Sequence, residues 1–164
     1  MEQGNLSNIE QAIMAVAQAI ANESTSLAAN RNKFLVQRVA ALNSTAGAVT
    51  IAPFDTKVFD HNSGFSTSTY KYTIPTSGYW LFQWRLGSVV AGGNRLVTIL
   101  YQNGVDTTRG ADLAGTTPAS VGSVLLYCAA GDTIDIRYFA GAVYAFETSA
   151  VGSQFFSGIL HTKE

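Results

Sequence analysis

At 164 residues, with a formal net charge of −1 and only 13% charged residues, the chain has room for one core-forming domain and a short appendage. Average soluble domains carry roughly 25% charged residues, so the surface must be covered largely by Ser, Thr, Asn, Gln and Gly. The ten Lys and Arg are scattered along the sequence, which excludes the electrostatic footprint that nucleic acid or an anionic membrane requires.

No apolar run approaches the roughly 18 residues of a membrane span. Met1-Glu-Gln-Gly-Asn5 has no basic region ahead of an apolar run, so no secretory signal is read and the chain is expected to be made, and to be soluble, in a cytoplasm. A single cysteine, Cys128, excludes an intrachain disulfide framework. Its setting in Val124-Leu-Leu-Tyr-Cys-Ala129 favours a small buried hydrophobe over a reactive thiol.

The first element expected is a helix. Leu6, Ile9, Ile13, Val16 and Ile20 are spaced 3, 4, 3 and 4 residues apart, and Leu27 follows seven later, which draws one apolar stripe along a helix. Ser7-Asn-Ile-Glu10 has the form of a capping box, so the helix is expected to start there and run for about 24 residues, roughly 36 Å. Isoleucine at both seam positions favours three or more strands over two. The stripe has three possible coverings: the chain's own β domain, an oligomeric bundle, or a larger partner. Glu23 and Asn30 fall where the seam expects apolar residues, so a coil would loosen in its second half. Residues 1–33 are assigned as an N-terminal anchor helix and 34–164 as the folded head.

Phe34-Leu-Val-Gln-Arg-Val39 is compatible with a first strand or with the end of the helix. From Val49 onward β signals dominate. Tyr70, Tyr72 and Ile74 alternate with polar residues, Pro75-Thr-Ser-Gly78 is a turn, and Trp80, Phe82, Trp84 and Leu86 share one face of a strand. Gly92-Gly-Asn94 leads into Leu96-Val-Thr-Ile-Leu-Tyr101, and Asn103-Gly104 is a hairpin signal. Asp106–Pro118 is polar and Gly-rich and is expected to be an exposed loop. Strands follow at Ser123–Tyr127 and, after Gly131-Asp132, at Ile134, Ile136 and Tyr138. Gly141–Val151 is expected to be a further loop. Ser153-Gln-Phe-Phe-Ser-Gly-Ile-Leu-His161 closes the chain as a strand that must pair with earlier ones, the candidates being Tyr70–Leu86 and Val121–Phe139. Eight to ten short strands with almost no helix outside the N-terminus indicate an all-β sandwich or jelly roll.

Three segments carry a resemblance. Tyr72-Thr-Ile-Pro-Thr-Ser-Gly-Tyr-Trp-Leu-Phe82, the pair Gly122-Ser-Val-Leu-Leu126 and Ala130-Gly-Asp-Thr-Ile-Asp-Ile136, and Phe155-Phe-Ser-Gly-Ile-Leu160 resemble, in order and spacing, motifs of C1q/TNF-like globular heads. Phe54-Asp55 and Asn103-Gly104 fit as well, and the likeness covers about residues 50–162. It implies a ten-stranded jelly roll that assembles as a tight homotrimer. Tyr79, Trp80, Phe82, Tyr138, Phe155 and Phe156 are then candidates for core or trimer packing. The chain lacks a Gly-X-Y stalk and the cysteines common in animal members, which points away from a secreted cytokine or complement role. Calcium, present in some relatives, would have Asp106, Asp112 and Asp135 to choose from, but their spacing makes no recognisable cage, and no metal or other cofactor is expected.

Catalytic patterns are missing: there is no Gly-x-Ser-x-Gly, no His-Glu-x-x-His and no phosphate-cradling glycine loop. His61 beside Asp60 suggests a dyad, yet neighbours on a strand point to opposite faces; His61 and His161 are expected to be exposed or capping. Two function classes remain. One is a homotrimeric decoration or cement protein of a bacteriophage virion, bound to the capsid or another virion protein through its N-terminal segment, with no nucleic-acid or membrane partner. The other is a receptor- or carbohydrate-binding head of a fibre, spike or adhesin, for which Tyr144 and Phe146, in an aromatic loop, are candidate ligand contacts.

Overall fold

The computed structural model of the chain describes residues 2–88, 95–115, 118–147 and 154–164, and within the helix the side chains of residues 8–25 and Arg31. Gly92-Gly-Asn94 therefore lies outside the described residues, as do the side chains of Leu6 and Leu27.

Helix α1 spans Glu2–Arg31, 30 residues or about 45 Å. It begins earlier than Ser7, so Ser7-Glu10 is helix interior and not a capping box, and Leu6 lies within the helix. Gly4 and Asn5 do not stop it, because one glycine costs only about 1 kcal/mol against alanine and extending an existing helix is easier than nucleating one.

The chain then turns in a single residue. Asn32 leads directly into β1 (Lys33–Gln37), so Phe34–Gln37 of the ambiguous stretch is strand and not helix, with Arg38 and Val39 beyond its end; the anticipated boundary after residue 33 falls just inside it. Phe34 and Val36 are fully buried and alternate with half-buried Lys33, Leu35 and Gln37, the period-2 pattern of a strand on a core.

Two sheets form the sandwich. One has the order β3 (Thr56–Asp60), β1, β11 (Phe155–Lys163), β6 (Gly78–Gly87), β9 (Ala119–Cys128). The other runs β4 (Phe65–Ser66), β5 (Lys71–Thr73), β10 (Thr133–Ala140), β7 (Arg95–Gln102), β8 (Val105–Ala114), with β2 (Val49–Ile51) also paired to β10. The ladders are antiparallel throughout, as a jelly roll requires.

The closing strand β11 does find β6 in the Tyr70–Leu86 stretch. Its other neighbour is β1, not the Val121–Phe139 region: β9 lies beyond β6, and β10 belongs to the opposite sheet. Most of Asp106–Pro118, expected as a loop, is strand: residues 106–114 belong to the ten-residue strand β8. Asn103 and Gly104, with φ of 53° and 81°, make the tight hairpin that returns β8 along β7. Its polar sequence reflects an exposed edge, fastened by the paired bonds from Arg95 to Asp112 at 2.7 and 2.6 Å.

Between the sheets lies an aromatic core. Phe34 stacks on Tyr72 with centroids 3.9 Å apart and meets the edge of Phe156 at 4.9 Å. Phe156 in turn lies 6.0 Å from Phe54 and 6.1 Å from Phe82. Gly158 keeps this packing possible, because a Cβ there would meet Phe34 at 2.5 Å and Phe82 at 2.9 Å. Trp84 donates to Thr98 Oγ1 at 2.7 Å, and Thr98 is bonded to Ser120 Oγ at 2.7 Å, so the polar atoms of this buried group are partnered.

Tyr144 and Phe146 are not an exposed ligand loop. Both are buried. Ser44 Oγ accepts from the Tyr144 amide at 2.7 Å, short bridges join Asn43 to Ala145 and Ser88 to Phe146, and the ring of Phe146 meets Tyr138 edge-on at 5.0 Å. These bonds hold the segment against the hydrophobic core, of which Tyr144 and Phe146 are part. The segment is apolar because it is buried there.

Cys128 is also fully buried at the end of β9, and burial, followed by the charge of Asp132, pushes its thiol up to about 12. Because the thiolate is the reactive species, the folded protein should resist alkylation by iodoacetamide at pH 8 for hours and label fully in denaturant. Labelling at equal rates in both conditions would contradict this packing.

Candidate functional site: two exposed apolar surfaces

The aromatic positions separate into two sets. Trp80, Phe82, Tyr138 and Phe156 are buried within one copy of the domain. Tyr79 and Phe155, one residue out of phase, point from the opposite face of the same sheet; Tyr79 is 41% exposed and Phe155 is half-buried. That outer face is apolar. Tyr79 sits opposite Tyr127, with rings 5.6 Å apart. Leu81 pairs with both Leu125 and Ile159, and Leu35 pairs with Phe59. Leu125 is 52% exposed, Tyr127 42% and Ile159 39%.

Sequence reasoning missed Leu125, Tyr127 and Ile159, although the signal was present. A half-buried antiparallel strand alternates apolar with polar residues, whereas one covered on both faces is a continuous apolar run. Val124-Leu-Leu-Tyr-Cys128 and Tyr79-Trp-Leu-Phe82 are such runs. In β9, Cys128 faces the core while Leu125 and Tyr127 face outward. Such a surface invites a protein partner.

At its rim Arg85 and Glu147 make a two-pronged ion pair at 2.7 and 3.0 Å. Next to it a shallow depression is lined by Gln83, Arg85, Val121, Gly122, Ser123 and Phe155. Gly122 leaves room there for the edge of the Trp84 ring beneath it.

The second surface is the stripe of α1. Ile9, Ile13, Val16 and Ile20 are all at least half exposed, Ile13 at 63% and Ile20 at 64%. They share one groove with Ala12 and Ala17. The chain's own β domain therefore does not cover the stripe. The helix is tied to the domain at its C-terminal end, where the Leu160 amide donates to the Asn32 carbonyl at 2.9 Å. Among the described residues no helix is long and apolar enough to cross a membrane.

The charged residues considered for chemistry have structural partners. Asp60 accepts from the amides of Gly64 and Phe65 at 3.1 and 2.9 Å and from Lys57 at 3.0 Å, holding the turn that contains His61. Asp106 pairs with Arg109, Asp112 with Arg95, and buried Asp135 with Arg137, with Lys71 3.8 Å away. Among the described residues no three His, Cys, Asp or Glu side chains form a metal-binding group.

Asp132, in the turn before β10, has its carboxyl held below the ordinary range by the amide of Asn103, and further by Gln102 and the Ala129 amide, against the opposing effect of burial. A carboxyl depressed on folding stabilises the fold above the unfolded value near 4 and loses that contribution as pH falls through the lower folded value. Asp132→Asn should therefore lose about 1 kcal/mol, a modest figure for a half-exposed group. In thermal melts the gap to wild type should be full at pH 6 and close as the pH falls below about 4. A gap independent of pH would contradict this assignment.

The sequence matches the family model described as the C1q domain over residues 33–161. The globular domain of zebrafish complement 1qA protein is similar in structure, with a TM-score of 0.62 and 20% identity, covering 81% of this chain and 99% of that one. Murine APRIL at pH 5.0 superposes with a TM-score of 0.59 and 12% identity, covering 78% of this chain and 97% of that one. Eiger TNF from S. frugiperda gives 0.56 and 12%, covering 80% and 93%. No curated protein matches the sequence. The match spans most of the chain, from β1 to the closing strand: the chain belongs to the C1q domain family.

Proposed function

We propose that the chain is a non-enzymatic structural protein that works as a homotrimer, packed through the outer face of the five-stranded sheet. We further propose that its N-terminal segment attaches the trimer to a bacteriophage capsid as a decoration or cement protein of the virion. The observation that carries the first part is the outer face itself, with Tyr79, Leu81, Leu125, Tyr127 and Ile159 side by side on paired strands. C1q domains are in general non-enzymatic binding modules, and C1q/TNF relatives form trimers.

The capsid reading is supported by surface composition and symmetry. A surface with few charges suits dense packing, and a three-fold trimer meets equivalent contacts at three-fold and quasi-three-fold lattice sites. The partner is then the capsid or another virion protein, with neither nucleic acid nor membrane involved.

Removal of residues 1–31 tests the attachment. The truncated head should remain a folded trimer by circular dichroism and light scattering, yet lose at least about tenfold in binding to particles from the source lysate. Undiminished binding by the head alone would overturn the role of the N-terminal segment. Antibody label spread over icosahedral shells supports decoration, whereas label confined to tail or fibre tips would replace it with a receptor-binding head.

A further inference from the structure

We propose that the apolar stripe of α1 is the seam of a parallel three-stranded coiled coil, its occupants being α1 of two further copies of this chain. This rests on the trimeric reading of the head and adds what covers the helix.

Ile9, Ile13, Val16 and Ile20 recur at intervals of 4, 3 and 4 and all stand exposed on one face. Such a repeat, sustained on a helix, winds neighbours into a left-handed coil. Side chains branched at Cβ hold one favoured rotamer on a helix, and isoleucine at both seam positions favours three strands or more. Ala12 and Ala17 flank the stripe and line the same groove. Their small side chains let three helices approach closely and widen the apolar seam.

Charge and connection favour identical copies over a foreign partner. Between residues 8 and 25 the helix carries only Glu10 and Glu23, so no cationic or acidic face specifies a partner of opposite sign. One residue, Asn32, separates α1 from β1, and Leu35 of β1 lies on the outer face of the sheet that joins the heads. Three heads packed through that face would hold three helices at one end, in parallel and at high effective concentration. The seam is then consumed by self-pairing, and attachment to a particle falls to the outward faces of the coil.

Glu23 occupies a seam position and is exposed, so three carboxylates would meet at one layer of the coil. That layer is the weak point. Glu23→Ile should raise the midpoint at which the helical circular dichroism signal of the full chain melts; a lowered midpoint would contradict the seam.

The direct test is cysteine crosslinking in the full-length protein, with buried Cys128 as the silent background. Ile20→Cys lies on the seam, and Gln18→Cys lies on the opposite face of the helix at nearly the same depth. Under mild oxidation at micromolar concentration, Ile20→Cys should form disulfide-linked pairs at least tenfold faster than Gln18→Cys. Equal rates, or no crosslinking at residue 20 in a protein whose mass is trimeric, would overturn the coil and leave the stripe to a foreign partner. A monomeric mass before oxidation would instead overturn the trimer beneath it, so the two failures are distinguishable.

Discussion

Phe156→Ala is expected to destabilise the head by about 3–5 kcal/mol, the range for removing a large aromatic side chain from a packed core. In a chain of this length that corresponds to a fall in Tm of roughly 6–20 °C. The size follows from position. Phe156 lies on the closing strand between β1 and β6, in ring contact with Phe34, Phe54, Phe65 and Phe82. Its loss opens a cavity whose walls belong to both sheets, so no single element can move to fill it. Phe155→Ala, one residue earlier on the outer face, should change the stability of an isolated head far less. A thermal melt of the two variants under conditions that keep them monomeric would show equal losses if the two faces of β11 were wrongly assigned.

Leu125→Glu is expected to act on assembly and leave the fold alone. Leu125 is half exposed in one copy and faces outward between Ser123 and Tyr127 on β9. In the proposed trimer, three carboxylates would lie in a desolvated apolar contact, each costing several kcal/mol unless paired. Association should weaken by at least about a thousandfold, while circular dichroism and the melt of the monomer remain close to wild type. A variant that stays trimeric at micromolar concentration would place the contact elsewhere.

Much of the head was legible because its determinants are local. Asn103-Gly104 set the hairpin, and alternation along Ile134, Ile136 and Tyr138 set the inward face of β10. The closing Phe-Phe-Ser-Gly-Ile-Leu run could only be a strand. What remained hidden depended on contacts distant in sequence. β8 carries a polar edge-strand sequence that is extended because β7 lies beside it. Tyr144 and Phe146 looked exposed because nothing near them in the chain reveals that Ser44, about a hundred residues away, draws their segment onto the core. The start of α1 was misplaced by a capping-box pattern that is sound in form but lies within a helix already under way.

The apolar outer face was partly legible for a different reason. Tyr79 and Phe155 were singled out together with Trp80, Phe82 and Phe156, since a one-residue step in a strand reverses the side-chain direction and no composition reveals which phase faces the core. The register settles it. The other outward residues, Leu125, Tyr127 and Ile159, passed as ordinary strand residues because continuous apolar runs look alike whether the second face is covered by the same chain or by another copy.

Self-association through the outer face of the five-stranded sheet is tested most directly by the mass of the head alone. Sedimentation equilibrium of residues 32–164 at micromolar concentration should report three copies in one particle, and the full-length protein should run at three times its 17.4 kDa chain mass. A head that sediments as a single chain while the full-length protein remains trimeric would assign assembly to the helix, and a single chain in both would contradict the trimer altogether.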